Sequence, residues 1–527
     1  MTWPKTDADH LLVTAPQMAN LESEMFASGL PVAALMEKVG QAMAAWLISH
    51  SGLIDSGVVV LVGPGHNGGD GLVVARELYL AGVKVEIWCP LNVNKTLTAQ
   101  HLSHANWLGI RQLKQTPNTS DKSLWIDALF GLSQSRPLPQ PIVELFNKRH
   151  LAMPGRMVSL DVPSGICPDS GEPFAGGAAF ASFTLTVGLI KQGLVQDLAL
   201  PYVGRLVRIE LGLQTHVLHE LPKPLRLCIK PSDLMSVSWP QPDRLASKYQ
   251  RGRVLVIAGS DQYRGAALLA LKGVMATGVG SIQAAIPKKV ADSLWQVLPE
   301  VVVAGVLQSP SKGALLCDFL AAQDLGRFDA VLLGPGLGAS DEHWREVIDS
   351  FQDFDGLIVL DADGLNRLAS FEGRWEWIQR RNGVTWLTPH LSEFQRLFPD
   401  IETSSLLDAA CAAAQLSGAG VLLKAANSVI ADPLGMAWQL VDTAPYVART
   451  GLGDLLAGFV TGAGALSIAS PNGISCEVLA MSAFVHAQMA RESKKGSSAS
   501  AVLASLEEWV KIIQSKDLDL DILPSSK

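Results

Sequence analysis

Short, charge-poor runs rich in Val, Ile and Leu recur through the first half of the chain, at 58–62, 83–88, 124–127, 157–161 and 183–188. Runs of this kind suit strands covered on both faces, which read as continuous apolar segments rather than alternating ones. Helical patterns lie between them, for instance at 33–48 and 140–148. Strand-helix alternation predicts a parallel sheet with helices on both sides. The rhythm breaks at 214–247, where Pro222, Pro224, Pro231, Pro240 and Pro242 fall. A second series then opens at 253–258 and continues at 281–286, 329–333, 356–361, 384–388 and 420–424. A chain of 527 residues is too long for one hydrophobic core. The expectation is an α/β protein of two three-layer α/β/α domains with mainly parallel sheets. The first covers 1–220, a connection covers 221–245, the second covers 246–515, and 516–527 form a tail.

A net charge of −8 and the lack of any Lys/Arg-rich run speak against a nucleic-acid surface. Cys89, Cys167, Cys228, Cys317, Cys411 and Cys476 are scattered and form no Cys-x-x-Cys, which fits reduced thiols of a cytoplasmic protein. The acidic start, with Asp7, Asp9, Glu22 and Glu24, is unlike a secretion signal. The uncharged stretch 455–476 is interrupted by Gly458, Gly462, Gly464, Pro471, Asn472 and Gly473, so a buried helix is expected there and no membrane span. Oligomeric state is left open, a homo-oligomer included.

Residues 63–71 read Gly-Pro-Gly-His-Asn-Gly-Gly-Asp-Gly between the run 58–62 and a helical pattern from Leu72. Strand, glycine-rich loop and helix together can bring backbone N–H groups and a helix N-terminus up to an anion. Glycines there would supply φ > 0 and close approach. The loop lacks both the dinucleotide fingerprint and the Walker lysine. It resembles the signature of the NAD(P)H-hydrate epimerases. So do Trp125-Ile126-Asp127-Ala128-Leu129-Phe130-Gly131, then Val158 to Ile166 with its Asp161-Val162-Pro163-Ser164-Gly165 core, then Leu185 to Leu189 and Lys191-Gln192-Gly193-Leu194. The likeness spans roughly 12–213 and implies a Rossmann-like domain that interconverts the R and S epimers of hydrated NADH and NADPH (NADHX and NADPHX).

The second half shows Gly259 to Ala267, Leu333-Gly334-Pro335-Gly336-Leu337-Gly338, Asp361-Ala362-Asp363-Gly364, Thr388-Pro389-His390-Leu391-Ser392-Glu393 and Thr450-Gly451-Leu452-Gly453-Asp454. This order resembles the ribokinase-like superfamily, specifically its NAD(P)H-hydrate dehydratases, over about 250–510. The resemblance implies phosphorylation of the ring hydroxyl and elimination of phosphate, with ADP as the expected nucleotide and ATP open. The alternative is a sugar or vitamin-precursor kinase carrying a non-catalytic N-terminal binding domain.

Site residues follow. Asp454 opens a helix where it could take a hydroxyl proton during phosphoryl transfer, although such a residue is often only a cap. By the resemblance Asp454 is the base, Gly453 borders the phosphates, and Lys424, Ala425, Ala426, Asn427 and Ser428 occupy the family's nucleotide loop. The resemblance implies that Ala266, Gly338 and His390 contact the hydrated nicotinamide. Asp361 and Asp363 could hold magnesium through water or cap the next helix. Glu393 belongs to the metal or water shell or is a solvated charge. In the first half Asp161 is the candidate proton-handling carboxylate, with Asp70 second. The resemblance implies that His66, Asn67, Gly68, Gly69, Asp70 and the loop Gly131, Leu132, Ser133, Gln134, Ser135, Arg136, Pro137 bind substrate. Asn67, Asp127 and Ser164 are oxygen donors suited to a hard cation, which the resemblance makes potassium. Departures from the family pattern are His66, Ser133, Cys167-Pro168, Ala425, Ser428, Arg449 and Leu452. They bear on substrate grip and nucleotide preference, not on fold.

Overall fold

The computed structural model describes residues 3–520 except 244, 311–312, 340–343, 443, 472 and 494–496. Of the tail expected at 516–527, residues 521–527 lie outside the described ones. The chain divides into two compact units. One is Thr6–Leu227; the other combines the first residues of the chain with everything from Cys228 onward.

In the Thr6–Leu227 unit, seven strands form one sheet in the order Arg111–Leu113, Val85–Trp88, Val58–Val62, Leu124–Ala128, Met157–Leu160, Phe183–Val187, Arg205–Ile209. All neighbours run parallel. Alternate residues of a strand face opposite ways, and the packing follows that rule. Val59, Leu61 and Trp125 pack under Ile142, Val143 and Phe146 of helix Gln140–Ala152. On the other face, Gly71 of helix His66–Leu80 lies where a Cβ would meet Ala128 Cβ at 2.5 Å and Val60 Cγ1 at 3.3 Å. Helices therefore cover both sides. Arg149 is buried beneath this sheet's rim, where its guanidinium donates to the carbonyls of Thr119 and Asp121 and lies 4.6 Å from the Trp125 ring. A small ribbon completes the unit. Leu11 and Leu12 pair antiparallel with Leu227 and Arg226, while Leu12 and Val13 pair parallel with Ile190 and Lys191.

In the other unit the order is Val302–Leu307, Ser281–Pro287, Arg253–Ile257, Ala330–Leu333, Leu357–Leu360, Thr385–Leu387, Gly420–Leu423, Val429–Ala431, Ala437–Leu440. The strands through Gly420–Leu423 are parallel and the last two antiparallel. Helix Leu452–Ile468 is buried along most of its length because its small residues admit close neighbours. A Cβ on Gly458 would lie 2.0 Å from the Ala270 carbonyl oxygen of helix Arg264–Ala276. The uncharged stretch from Leu455 is thus a buried helix as expected, and no described helix is long and apolar enough to cross a membrane. In the proline-rich stretch, Asp233 and Trp239 are buried, and Trp239 stacks on Phe459 with ring centroids 5.2 Å apart. Trp3 joins this unit too. Its backbone N–H donates to Glu477, its indole N–H to the Asp233 carbonyl, and its ring sits 5.6 Å from Phe484.

One expectation is overturned. The segment 63–71 is not a loop with left-handed glycines. Helix begins at His66, and none of Gly63, Gly65, Gly68, Gly69 or Gly71 has positive φ. Their missing side chains serve contact instead. A Cβ on Gly63 would meet the Leu129 carbonyl oxygen at 1.7 Å, one on Gly68 the Gly63 carbonyl oxygen at 2.1 Å, and one on Gly69 the Met36 thioether at 2.6 Å.

Candidate functional site

In both units the candidate residues gather where parallel strands end at their C-terminal edge, the usual ligand crevice of such sheets.

In the Thr6–Leu227 unit a cavity of about 450 Å³ is lined by His66, Asn67, Asp70, Gly131, Leu132, Ser133, Gln134 and Asp161, together with Glu22 and Lys95. Asp161 follows strand Met157–Leu160 with φ 63, a left-handed conformation that non-glycine residues seldom adopt. Its carboxylate accepts from the Leu132 N–H at 2.9 Å and the Val187 N–H at 3.3 Å, and it pairs with Lys191 Nζ at 2.5 Å. The Lys191 side chain is 1 % exposed and also donates to the Val187 carbonyl at 2.9 Å. Gly131 fits between the key groups. A Cβ there would stand 3.0 Å from Asp161 Oδ2 and 3.2 Å from Asn67 Cγ.

Charges in this cavity are coupled. Burial pushes the Glu22 carboxyl up to about 7, with the Asp161 charge adding and Lys191 opposing. Burial, then the charges of Asp161 and Glu22, raises Asp70 well above the usual carboxylate range. Partial burial, then Lys95, lowers His66. Ser135, Arg136 and Pro137 line a neighbouring cavity of about 800 Å³ with Ser133 and Gln134. Gln134 ties that loop down, donating to the Pro163 carbonyl and accepting from the Gly165 N–H.

Asn67, Asp127 and Ser164 are linked through Phe130. Asn67 Nδ2 donates to the Phe130 carbonyl at 3.0 Å, the Phe130 N–H donates to Ser164 Oγ at 3.0 Å, and Ser164 Oγ donates to Asp127 at 2.7 Å. Asp127 is fully buried and accepts further from Ser159 Oγ and the Ser164 and Leu129 N–H groups. Burial raises its carboxyl, and these donors partly offset the rise. Asn67 Oδ1 differs: it is buried and has no hydrogen-bond partner among the described residues.

In the other unit, helix Leu452–Ile468 starts after Gly451, whose φ of 89 makes it the cap. Asp454 is the third helical residue, so the capping reading does not apply to it. Burial, then Asp361, pushes its carboxyl up to about 6, with Lys424 opposing. Lys424 Nζ pairs with Asp361 Oδ1 at 2.7 Å, and Thr388 Oγ1 donates to the same oxygen at 2.7 Å. Burial opposes the Lys424 charge, but Asp361, Glu393 and Asp454 outweigh it and raise the ammonium. A Cβ on Gly453 would lie 3.7 Å from Lys424 Nζ.

Asp361 and Asp363 are parted by Ala362 at φ 49, so they serve different partners. Asp363 accepts from the Gly338 N–H at 2.7 Å, and Arg367 donates to the Gly338 carbonyl. Ala266 abuts the same turn, where a Cβ on Gly336 would meet its methyl at 2.7 Å. His390 caps helix Leu391–Leu397: its Nδ1 accepts from the Ser392 and Glu393 N–H groups, and Glu393 accepts from the His390 N–H at 2.9 Å. Glu393 is buried, not a solvated charge. Ser428 Oγ closes the Lys424–Ser428 turn, accepting from the Ala425 N–H and donating to its carbonyl, with Ala426 and the buried Asn427 between them.

Sequence reasoning passed over Glu22, Thr388 and the role of Lys191. Lys191 did leave a signal: it is the lone charge in the stretch 183–195.

Two family models match the chain. Residues 254–512 match the NAD(P)H-hydrate dehydratase family, and residues 32–193 match the YjeF-related protein N-terminus. The bifunctional NAD(P)H-hydrate repair enzyme Nnr of Gloeobacter violaceus is 40% identical over 458 residues, covering 85% of this chain and 88% of its own. The enzyme of that name from Synechocystis sp. is 40% identical over 455 residues, covering 86% and 85%. Among solved structures, the ADP/ATP-dependent NAD(P)H-hydrate dehydratase of Bacillus subtilis co-crystallised with ATP/Mg2+ is similar over 54% of this chain and 96% of its own, at 23% identity and a TM-score of 0.43.

Proposed function

We infer the function from one premise: the chain belongs to the family of bifunctional NAD(P)H-hydrate repair enzymes. It epimerises hydrated NADH and NADPH and dehydrates the S epimer back to NAD(P)H. We assign epimerisation to the Thr6–Leu227 unit and dehydration to the unit from Cys228. The observation that carries the assignment is the match of residues 254–512 to the NAD(P)H-hydrate dehydratase family, and the two units share one further feature. Each unit sets a lysine-bonded aspartate at the C-terminal edge of its sheet, beside a second carboxyl raised toward neutrality.

In the dehydratase, the difficulty is that hydroxide leaves poorly and phosphate leaves well. Asp454, with its carboxyl near 6, is mostly ionised at neutral pH and still basic enough to take the ring hydroxyl's proton as it attacks the terminal phosphoryl group of ADP. Lys424 offers positive charge to that group, and Gly453 lets the phosphate approach the helix start. Gly338, Ala266 and His390 hold the nicotinamide. Asp361 and Asp363 could hold magnesium through water: Lys424 and Thr388 share Asp361 Oδ1, and Gly338 and Asn366 each donate to one oxygen of Asp363.

In the epimerase, Asp161 handles the proton, and the cavity residues His66 to Asp70 and Gly131 to Pro137 grip the substrate. Potassium fits beside Asn67, whose buried and unpartnered Oδ1 is the uncharged donor such an ion takes. Asp127 and Ser164 would join it by trading hydrogen bonds they now share. The ion would supply fixed positive charge at the strand ends. We propose a cytoplasmic location, in keeping with six scattered cysteines that form no Cys-x-x-Cys.

The test uses the full chain with pure R epimer and ADP. Wild type should return all of it to NADH. Asp161→Ala should leave R untouched while still repairing S, which also reports that the other unit is folded. Repair of R by Asp161→Ala removes that residue from the mechanism. Epimerisation equally fast in potassium and in a large organic cation would tell against the ion.

A further inference from the structure

Glu22 belongs to no motif on which the epimerase assignment rests, yet it lines the same cavity as Asp161 and Asp70. It stands on helix Ala15–Ala27, which turns Met18 and Leu21 inward. That places Glu22, one residue further on, at the edge of the buried face. The charged and titratable groups around it come from several elements. They are Asp161 and Lys191 at the sheet edge, Asp70 and His66 from helix His66–Leu80, and Lys95 from the loop before helix Thr96–Trp107. Three carboxyls share one cavity, and among the described residues only Asp161 has a lysine bonded to it, at 2.5 Å. Like charges in a partly desolvated space resist joint ionisation, so such a set holds a proton near neutral pH. Burial and the Asp161 charge put Glu22 at about 7, where it can both give and take one.

We propose that Glu22 is the second catalytic group of the epimerisation, giving a proton to the departing hydroxyl on one face of the nicotinamide ring while Asp161 takes one from the water that adds to the other. The proposal rests on the epimerase reading above. Hydration of the ring puts the hydroxyl on the carbon beside the ring nitrogen. The C–O bond breaks with its electron pair on oxygen, which takes the Glu22 proton and leaves as water. The nitrogen lone pair closes a C=N bond, giving an iminium cation. Water on the opposite face then forms the new C–O bond with its own lone pair. The C=N π pair returns to nitrogen, and Asp161 accepts the proton. One water leaves, one enters, and nothing is oxidised or reduced. The proton goes from Glu22 to Asp161 and returns through cavity water. The carboxylate left on Glu22 faces the cation and stabilises it.

The experiment uses the full chain without nucleotide, so that only epimerisation proceeds, and follows R-to-S and S-to-R conversion across pH in H₂¹⁸O. In the wild type both directions should lose kcat/KM as pH rises through about 7, where Glu22 gives up its proton. Label should enter the ring hydroxyl with each inversion. Glu22→Gln should lower kcat about 100-fold or more with little change in KM, and should lose the alkaline limb. Glu22→Asp should keep that limb at reduced kcat, a rescue that a purely structural role would not give. A parent protein that leaves both epimers untouched sinks the epimerase reading and the inference with it. If the parent works, three results overturn the inference alone. One is a Glu22→Gln variant that keeps both rate and limb. Another is an alkaline limb that vanishes in Asp70→Asn but persists in Glu22→Gln. The third is inversion without uptake of label.

Discussion

The two sites use the same ion pair turned in opposite directions. In the epimerase unit the lysine is hidden and the aspartate faces the cavity: side-chain exposure is 1 % for Lys191 and 12 % for Asp161. In the dehydratase unit the aspartate is hidden and the lysine faces outward, at 2 % for Asp361 and 19 % for Lys424. The difference follows from what each site must meet. The cationic ring of the proposed epimerisation favours a carboxylate in front, whereas the phosphoryl group of the proposed dehydration favours an ammonium in front. The inner partner supplies the compensating charge that lets the outer one sit in a partly desolvated place.

The largest expected effect separates the sites completely. Asp454→Asn keeps size and hydrogen-bonding reach but cannot take a proton. Nucleotide-dependent repair of the S epimer should fall by roughly 10²–10⁴-fold, with R-to-S conversion unaffected. Near-normal repair would mean that Asp454 is not the base.

The orientation of the pairs makes the second prediction. Asp161→Ala strands a buried ammonium, and removing one partner of a buried pair costs about 3–5 kcal/mol. Asp361→Ala leaves Lys424 partly solvated and should cost clearly less. Urea unfolding followed separately in each unit compares them. The double variant Asp161→Ala/Lys191→Met should regain stability without regaining epimerisation, which parts folding from catalysis. Equal costs for the two single variants would break the comparison.

Glycines sharpen it further. Gly131→Ala would press a methyl against Asp161 Oδ2 at 3.0 Å and Asn67 Cγ at 3.2 Å, so epimerisation should fall about tenfold, in line with the sensitivity of catalysis to small displacements. Gly453→Ala meets nothing closer than Lys424 Nζ at 3.7 Å. It should gain about 0.5–1 kcal/mol of helix stability while raising KM for ADP. The reverse pattern would show that Gly131 is merely a turn residue and Gly453 a packing one.

The sequence made the two parallel sheets legible because their central strands are covered on both faces and so spell unbroken apolar runs. It did not reveal strands such as Leu11–Val13, Arg111–Leu113 or Val429–Ala431, which are too short to carry a pattern. Candidate residues on motif segments were readable as candidates, and the structure brings Asn67, Gly131 and Asp161 together around one cavity. The glycines of 63–71 were misread because composition cannot distinguish a residue that needs positive φ from one that needs a close neighbour. Glu22 stayed hidden for a different reason. On a helix rich in polar residues, one carboxylate facing a cavity looks like any solvated charge.

The last expected effect concerns stability, and it has a definite sign. Folding raises the Asp454 carboxyl from 3.8 to about 6, chiefly by burial. Between those values the folded protein holds a proton that the unfolded chain releases. Stability of this unit therefore falls as pH rises through that window and levels off above about 6. Asparagine does not titrate, so it escapes this loss. Asp454→Asn should raise the melting midpoint of the dehydratase unit at pH 7.5, by an amount equivalent to about 1–2 kcal/mol after allowance for the part of the group that water still screens. The gain should shrink toward pH 4.5. Glu22→Gln should behave the same way in the epimerase unit with the window moved up, because its carboxyl rises from 4.5 to about 7. Calorimetry of both variants across pH 4.5–8 decides it. Gains that ignore pH would mean that neither carboxyl is held at a cost in its ionised form, and the likeness between the two sites would then reduce to the lysine–aspartate pairs alone.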